Sequence, residues 1–361
     1  MKTKYFLIIL LLVSLSFSGC SPKKSKKVSG NGGVYKSIDA GHTFVPINKI
    51  NAEKNISRFS VLDIAVDKND ANLVYIGTDK NGIYKSSNGG ESWAKSQNGF
   101  SRVYQIELHP YNKNVIYIIA DDQKGERALF KTEDGGINWQ RLLTQRNNLV
   151  PKISALILDE NNPEIVYAGD STGGVYKSVN GGKEWQTLAW AKQPIRFILV
   201  DKKDNNIIYY ITGANQVFVS TNQGKTFNNS NRMAKTSFGA IYYATVSPQE
   251  KGVLYILSRQ GLKVSKDAGQ KYELVNTLLP PGKTTADYIT IDPRNPNTIY
   301  ILAGKVLYKS LNRGKDWEVI PLKIKWSVGS FVVSASNPQI IYMGLAHPIE
   351  KGSWGKFLLP F

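Results

Sequence analysis

The sequence predicts an all-β fold, a single seven-bladed β-propeller of four-stranded blades. Three observations predict it. The stretch VYKSVNGGKEW, Val175 to Trp185, recurs as VYKSIDAGHTF from Val34, IYKSSNGGESW from Ile83, LFKTEDGGINW from Leu129, VFVSTNQGKTF from Val217, LKVSKDAGQKY from Leu262 and LYKSLNRGKDW from Leu307. That is seven copies, about 45 residues apart, a period of stacked or radial repeats. A second pattern alternates with it seven times, as DKNDANLVYIGT from Asp67, DENNPEIVYAGD from Asp159 and DPRNPNTIYILA from Asp292. Each period also holds four short apolar or alternating runs, such as ISALILD, EIVYAGD, GGVYKSV and EWQTLA between Ile153 and Ala189. Four strands per period make a propeller blade.

Each element of the repeat has a physical reason. The first two runs are β-branched and aromatic, which suits strands, and Asn-Pro or Asn-Asn clusters mark the turn between them. The turn after the third run is built by Asp39, Asn88, Asp134, Asn180, Asn222, Asp267 and Asn312, whose side-chain oxygens fold back onto turn amides. Ser178 and its equivalents bond the same turn, and Gly182 supplies a positive φ without steric cost. The run ends on an aromatic, Trp93, Trp139, Trp185 or Trp317 in four copies, which packs between neighbouring sheets. The chain opens with a turn-bearing half-repeat, Val34 to Pro46, and closes with a first half, Phe331 to Leu345. One blade is therefore shared by the two ends, which removes the sheet edges an open array would expose. The propeller is expected over 33–346, followed by a tail, 347–361, without a repeat match.

With the S-x-D-x-G-x-T-W pattern matched in all seven copies at the Ser/Thr, Asp/Asn, Gly and aromatic positions, the chain resembles the Asp-box, or BNR-repeat, β-propellers. That superfamily includes sialidases, sortilin-like receptors, xyloglucan-cleaving glycosidases and the photosystem II assembly/stability factor family. The resemblance implies that the boxes are structural turns away from the ligand site. The photosystem II assembly factor-like members, with one seven-bladed propeller, often a lipoprotein signal and a basic patch for a partner protein, resemble this chain most. The resemblance implies a binding role. It assigns no binding residue, because loops are where repeat proteins diverge.

The first residues, MKTKYFLIILLLVSLSFSGC, are two lysines, an apolar run and small residues, the pattern of a secretory signal too short to span a membrane. Ser18-Gly19-Cys20 is similar to a bacterial lipobox, and Cys20 is the single cysteine. The expectation is a signal peptide over 1–19, lipidation of Cys20 and a basic flexible tether over 20–32, giving an extracytoplasmic lipoprotein anchored to a membrane at the cell surface or in the periplasm.

The formal charge of +18 points to a protein or acidic polymer as partner, with no specific nucleic acid. In a propeller, the first-to-second and third-to-fourth turns share one face, and the remaining loops open on the other. These open-face loops carry Arg102, Tyr104, Arg146, Lys152, Trp190, Arg196, Arg232 and Trp326, the candidate binding face. Catalysis has weaker support. The histidines, His42, His109 and His347, are scattered over different blades, so no metal or other cofactor is expected. No G-x-S-x-G elbow occurs. A glycosidase needs two carboxylates about 5 to 10 Å apart, and the open-face acids Asp79, Asp121, Asp122, Glu126, Asp170 and Asp287 include a single adjacent pair. The favoured reading is a monomeric, non-catalytic binding scaffold, with a sialidase- or xyloglucanase-like surface glycoside hydrolase as the alternative.

Overall fold

The structure is a computed structural model and describes residues 32–96, 99–143, 152–279, 282 and 286–347. It shows the predicted architecture: seven antiparallel sheets of four strands. The innermost strands are Ser60–Val66, Arg102–Leu108, Ile153–Leu158, Ile195–Val200, Ile241–Val246, Tyr288–Ile291 and Ser327–Val333, opening blades 1 to 7 in order. In blade 7, Ser327–Val333 and Ile341–Ala346 are completed by Gly33–Ser37 and Val45–Pro46 from the other end of the chain. The closing ladder runs from Gly33 opposite Leu345 to Ser37 opposite Ile341. The single helix among the described residues is one turn, Ser230–Met233.

The boxes are self-satisfied turns. In all seven the Ser or Thr hydroxyl donates to the Asp or Asn Oδ1 at 2.7–3.1 Å and accepts from a glycine amide at 2.8–3.0 Å. That glycine has φ between 83° and 97° in every copy, a conformation costly for any other residue. The amide before it bonds the first turn of its own blade, as Gly181 N does to Glu164 O at 2.9 Å.

Seven apolar clusters fill the spaces between and within neighbouring blades. Each second strand contributes a buried tyrosine. In five blades a cross-strand lysine lays its ammonium 5.4–5.9 Å from that ring: Lys36 on Tyr342, Lys85 on Tyr75, Lys131 on Tyr117, Lys177 on Tyr167 and Lys309 on Tyr300. These pairs reach the next blade's box, where Lys36 Nζ donates to Gly89 O at 3.0 Å, Lys309 Nζ to Ala40 O at 3.1 Å and the Tyr117 hydroxyl to Gly181 O at 3.1 Å. The lysine of the VYKS motif is thus a blade-to-blade fastener that covers an aromatic face with its stem and cation. Part of the positive charge is structural.

Candidate binding face and central channel

The innermost strands enclose a central channel of about 900 Å³. Six of them carry a β-bulge at one level, for example between Val61 and Asp63, Val103 and Gln105, and Ile241 and Tyr243. A bulge re-aims the side chain that follows it. At that level Asp63, Gln105, Phe197, Tyr243, Tyr288 and Ser330 line the channel, with Glu107 two residues further on. Asp63 accepts from Ile106 N at 2.8 Å and from the Ser330 hydroxyl at 3.3 Å. Glu107 accepts from Gln105 Nε2 at 2.9 Å. Burial raises both carboxyls, Asp63 to about 7 and Glu107 to about 8, the latter also through the Asp63 charge. Neither carboxylate has a cation within ion-pair distance among the described residues.

Toward the box face the channel lining continues into the first turns of the blades, where Lys68, Glu160, Lys202, Lys203 and Arg294 form a mostly basic rim. Glu160 binds Lys202 at 2.6 Å and Lys68 at 3.0 Å. Burial would raise the Glu160 carboxyl, but the two ammonium groups outweigh it and hold the group at about 2. The turns are also laced from blade to blade, as Asn69 Nδ2 to Pro110 O at 2.9 Å and Gln249 Nε2 to Pro293 O at 2.6 Å.

Exposed lysines in no ion pair with a described acid occur around the open face, Lys80 and Lys124 on blades 1 and 2 and Lys305, Lys323 and Lys325 on blades 6 and 7 among them. On blades 1 and 2 the arginines meet acids: Arg102 Nε lies 2.5 Å from Asp79, Arg127 Nε 3.5 Å from Asp121, and Arg141 Nη1 3.0 Å from Glu126 and 3.4 Å from Asp122. Tyr104 is sandwiched there, donating to Asp121 at 2.8 Å beneath the Arg127 guanidinium, 3.7 Å from its ring centre. On blades 3 to 5, Lys152, Lys192, Arg232, Lys235 and Arg259 are exposed, and none lies in an ion pair with a described acid. Trp190, 55% exposed, and Met233, 41% exposed, stand among them.

Comparison with known proteins agrees with this architecture. A family model described as "Sortilin, neurotensin receptor 3" matches residues 32–170. The xyloglucanase Xgh74A of Acetivibrio thermocellus is 23% identical over 46% of this chain and 24% of its own length. Among solved structures, the Niastella koreensis GH74 enzyme superposes with a TM-score of 0.63 at 20% identity, covering 86% of this chain and 53% of that one. YCF48 bound to D1 peptide superposes at 0.59 and 14% identity, over 80% of this chain and 94% of that one. The fold is a seven-bladed β-propeller with a Ser/Thr–Asp/Asn–Gly turn in every blade. At these identities the likeness to the solved structures is one of fold, and the chain spans about a quarter of the curated relative and half of the GH74 structure.

The propeller places the sequence-predicted residues unevenly. Lys152, Trp190 and Arg232 stand exposed on the open face, as expected. Tyr104 (9% exposed), Arg196 (7%) and Trp326 (8%) do not, so these three are corrected from exposed contact residues to parts of the framework, while Arg102 is half-exposed and paired with Asp79. Trp326 packs in the core between blades 6 and 7, with the His347 ring 4.9 Å away. Arg196 donates from Nη1 to Ile241 O at 2.8 Å, bridging blades 4 and 5. Arg146 and Cys20 lie outside the described residues, as do the tether and most of the tail. The open-face acids are engaged as well: Asp170 folds its turn by accepting from the amides of Thr172, Gly173 and Gly174, and Asp287 accepts from Gly304 N at 2.7 Å. Sequence reasoning missed Asp63 and Glu107. The one signal for them was a carboxylate within a first strand, in SVLDIAV and RVYQIEL.

Proposed function

We propose that this chain is a membrane-anchored extracytoplasmic lipoprotein whose propeller is a non-catalytic scaffold, holding an acidic segment of a partner protein on the open face of blades 3 to 5. The exposed Trp190 and Met233 among unpaired cations on blades 3 to 5 carry this reading: unpaired lysines occur on other blades too, but here they accompany an exposed tryptophan, the composition of a charged binding patch with an aromatic anchor. A propeller of the same fold, YCF48, is bound to D1 peptide, which supports a peptide-holding role. The likeness to GH74 enzymes supports a hydrolase. Acid and base roles, however, need two carboxyls whose titration is held apart, whereas Asp63 and Glu107 are raised together.

Charge reversal tests the patch. A variant with Lys152, Lys192, Arg232 and Lys235 changed to Glu is expected to lose at least about tenfold in partner capture from solubilised membranes, with the melting temperature nearly unchanged, because exposed charges steer association and add little to stability. The same reversal at Lys113, Lys183 and Lys315 on the box face should keep the partner. Equal capture by wild type and the open-face variant would remove the proposal.

The anchor has its own test. Cells labelled with a fatty-acid analogue should incorporate label into the wild-type chain and not into Cys20→Ser; equal labelling overturns lipidation. The tether over 20–32 would enter the propeller at Gly33, the open-face end of its strand. At a root-mean-square reach of about 20 Å, this would turn the open face toward the membrane.

A further inference from the structure

The channel is polarised along its axis and across it. Asp63 on blade 1 and Glu107 on blade 2 lie on one side, and Phe197, Tyr243 and Tyr288 on blades 4, 5 and 6 on the other, with Arg196 beside Phe197 and Asp287 beside Tyr288. The aromatic arc is continuous, with centroids 5.5 Å apart from Phe197 to Tyr243 and 5.2 Å from Tyr243 to Tyr288. Both groups line the one channel, and burial together with the nearby carboxylate charges raises the Tyr243 and Tyr288 hydroxyls. Half-buried carboxylates and aromatic rings lining one channel are the elements of an ammonium site: acceptors and negative ring faces. Arg196 also lines the channel, its guanidinium 5.3 Å from the Phe197 ring and its Nη1 spent on Ile241 O, and no cation among the described residues lies within ion-pair distance of Asp63 or Glu107, whose carboxyls are raised by burial.

Toward the box face the sign reverses. Lys202 and Lys68 share the single acid Glu160, and Lys203 and Arg294 add further positive charge. Lys202 and Glu160 both act on the Glu107 carboxyl, so the basic rim and acidic interior are near neighbours. Glu107 and the first-turn residues are three positions apart along the strand, about 10 Å at 3.3 Å per residue, less the reach of a lysine side chain.

We propose that the central channel binds a small zwitterion, its ammonium group inward between Asp63, Glu107 and the tyrosine faces, and its anionic group at the Lys202–Lys203 rim. The ammonium would supply Asp63 and Glu107 with the direct ion partner they have none of among the described residues, and the anion would meet the basic rim. A chain of about five or six bonds between the two charges spans the distance.

The test uses three probes of one length: 6-aminohexanoate, hexanoate without the ammonium, and hexylamine without the carboxylate, titrated calorimetrically into the propeller at pH 8. The expected result is saturable one-to-one binding of 6-aminohexanoate, with each of the others at least tenfold weaker. The pair Asp63→Asn with Glu107→Gln should erase the preference over hexanoate, and Lys202→Met with Lys203→Met the preference over hexylamine. Thermal melting confirms that each variant is folded; single substitutions at Glu107 or Lys203 replace a pair that is not, with the same loss of preference expected. No saturable binding of 6-aminohexanoate up to 10 mM overturns the proposal, as does equal binding of hexanoate or of hexylamine, or preferences unchanged by the substitutions.

Discussion

Deletion of residues 33–46 is expected to abolish cooperative folding and leave an aggregating chain. The segment supplies the two outer strands of blade 7. Without it Ile341–Ala346, buried along its whole length, becomes an open edge, with a row of unpaired amides and carbonyls available to another chain. The loss extends to both neighbours. Val34 is fully buried against blade 1, and Ala40 O receives the Lys309 ammonium from blade 6. A fully buried aliphatic side chain contributes about 1.5–3 kcal/mol, and a domain's net stability is about 5–15 kcal/mol, so loss of a half-blade consumes most of the margin. Circular dichroism melting with size-exclusion chromatography checks it. A monomeric truncated protein melting at the wild-type temperature would contradict ring closure by the termini.

The ring was legible in the sequence because its signals are local and repeated. The box requires an oxygen, a hydroxyl and a glycine at fixed offsets, and each of those is a residue type. Even the tolerance at the position before the glycine has a local reason: Ala40, Gln223, Ala268 and Arg313 occupy positive φ there, where a single left-handed residue costs little enough to be carried by seven converging hydrogen-bonded turns. The shared blade followed from counting halves. The lysine of VYKS was not legible in this way. Its role depends on a tyrosine across the strand and on the carbonyl of the next blade, and the sequence alone gives it the appearance of an ordinary surface charge.

The site was legible only as a face. Loop position placed Arg102, Arg196 and Arg232 together, but their environments differ: an acid beside the first, a carbonyl of the next blade beside the second, solvent around the third. Whether an arginine binds a partner or its own framework is decided by contacts between blades, which no single repeat records. The channel residues were hidden for a related reason. A bulge shifts the register of the residues after it by one, so strict alternation along the first strands does not mark Asp63 or Tyr243 as channel residues.

The second large effect is expected at Trp93. The four box tryptophans are alike in sequence, but Trp139 and Trp185 are half-buried and donate their indole N–H within their own box, at 3.1 and 2.9 Å. Trp93 is 2% exposed and donates instead to Ile47 O at 2.6 Å, while its own amide bonds Lys49 O at 3.0 Å. Ile47 and Lys49 follow directly on the last strand of the N-terminal half-blade. Trp93 therefore fastens the closing segment to blade 1, at the seam where the ring joins its two ends. Trp93→Ala should cost about 3–5 kcal/mol through lost burial and a cavity, and Trp93→Phe about 1–3 kcal/mol, chiefly because the Ile47 carbonyl loses its donor. Trp185→Ala should cost less than Trp93→Ala, since its ring keeps more contact with water. Urea denaturation of the three variants measures the order. If Trp185→Ala proves as destabilising as Trp93→Ala, the seam has no special weight and the four tryptophans are equivalent parts of seven equivalent joints.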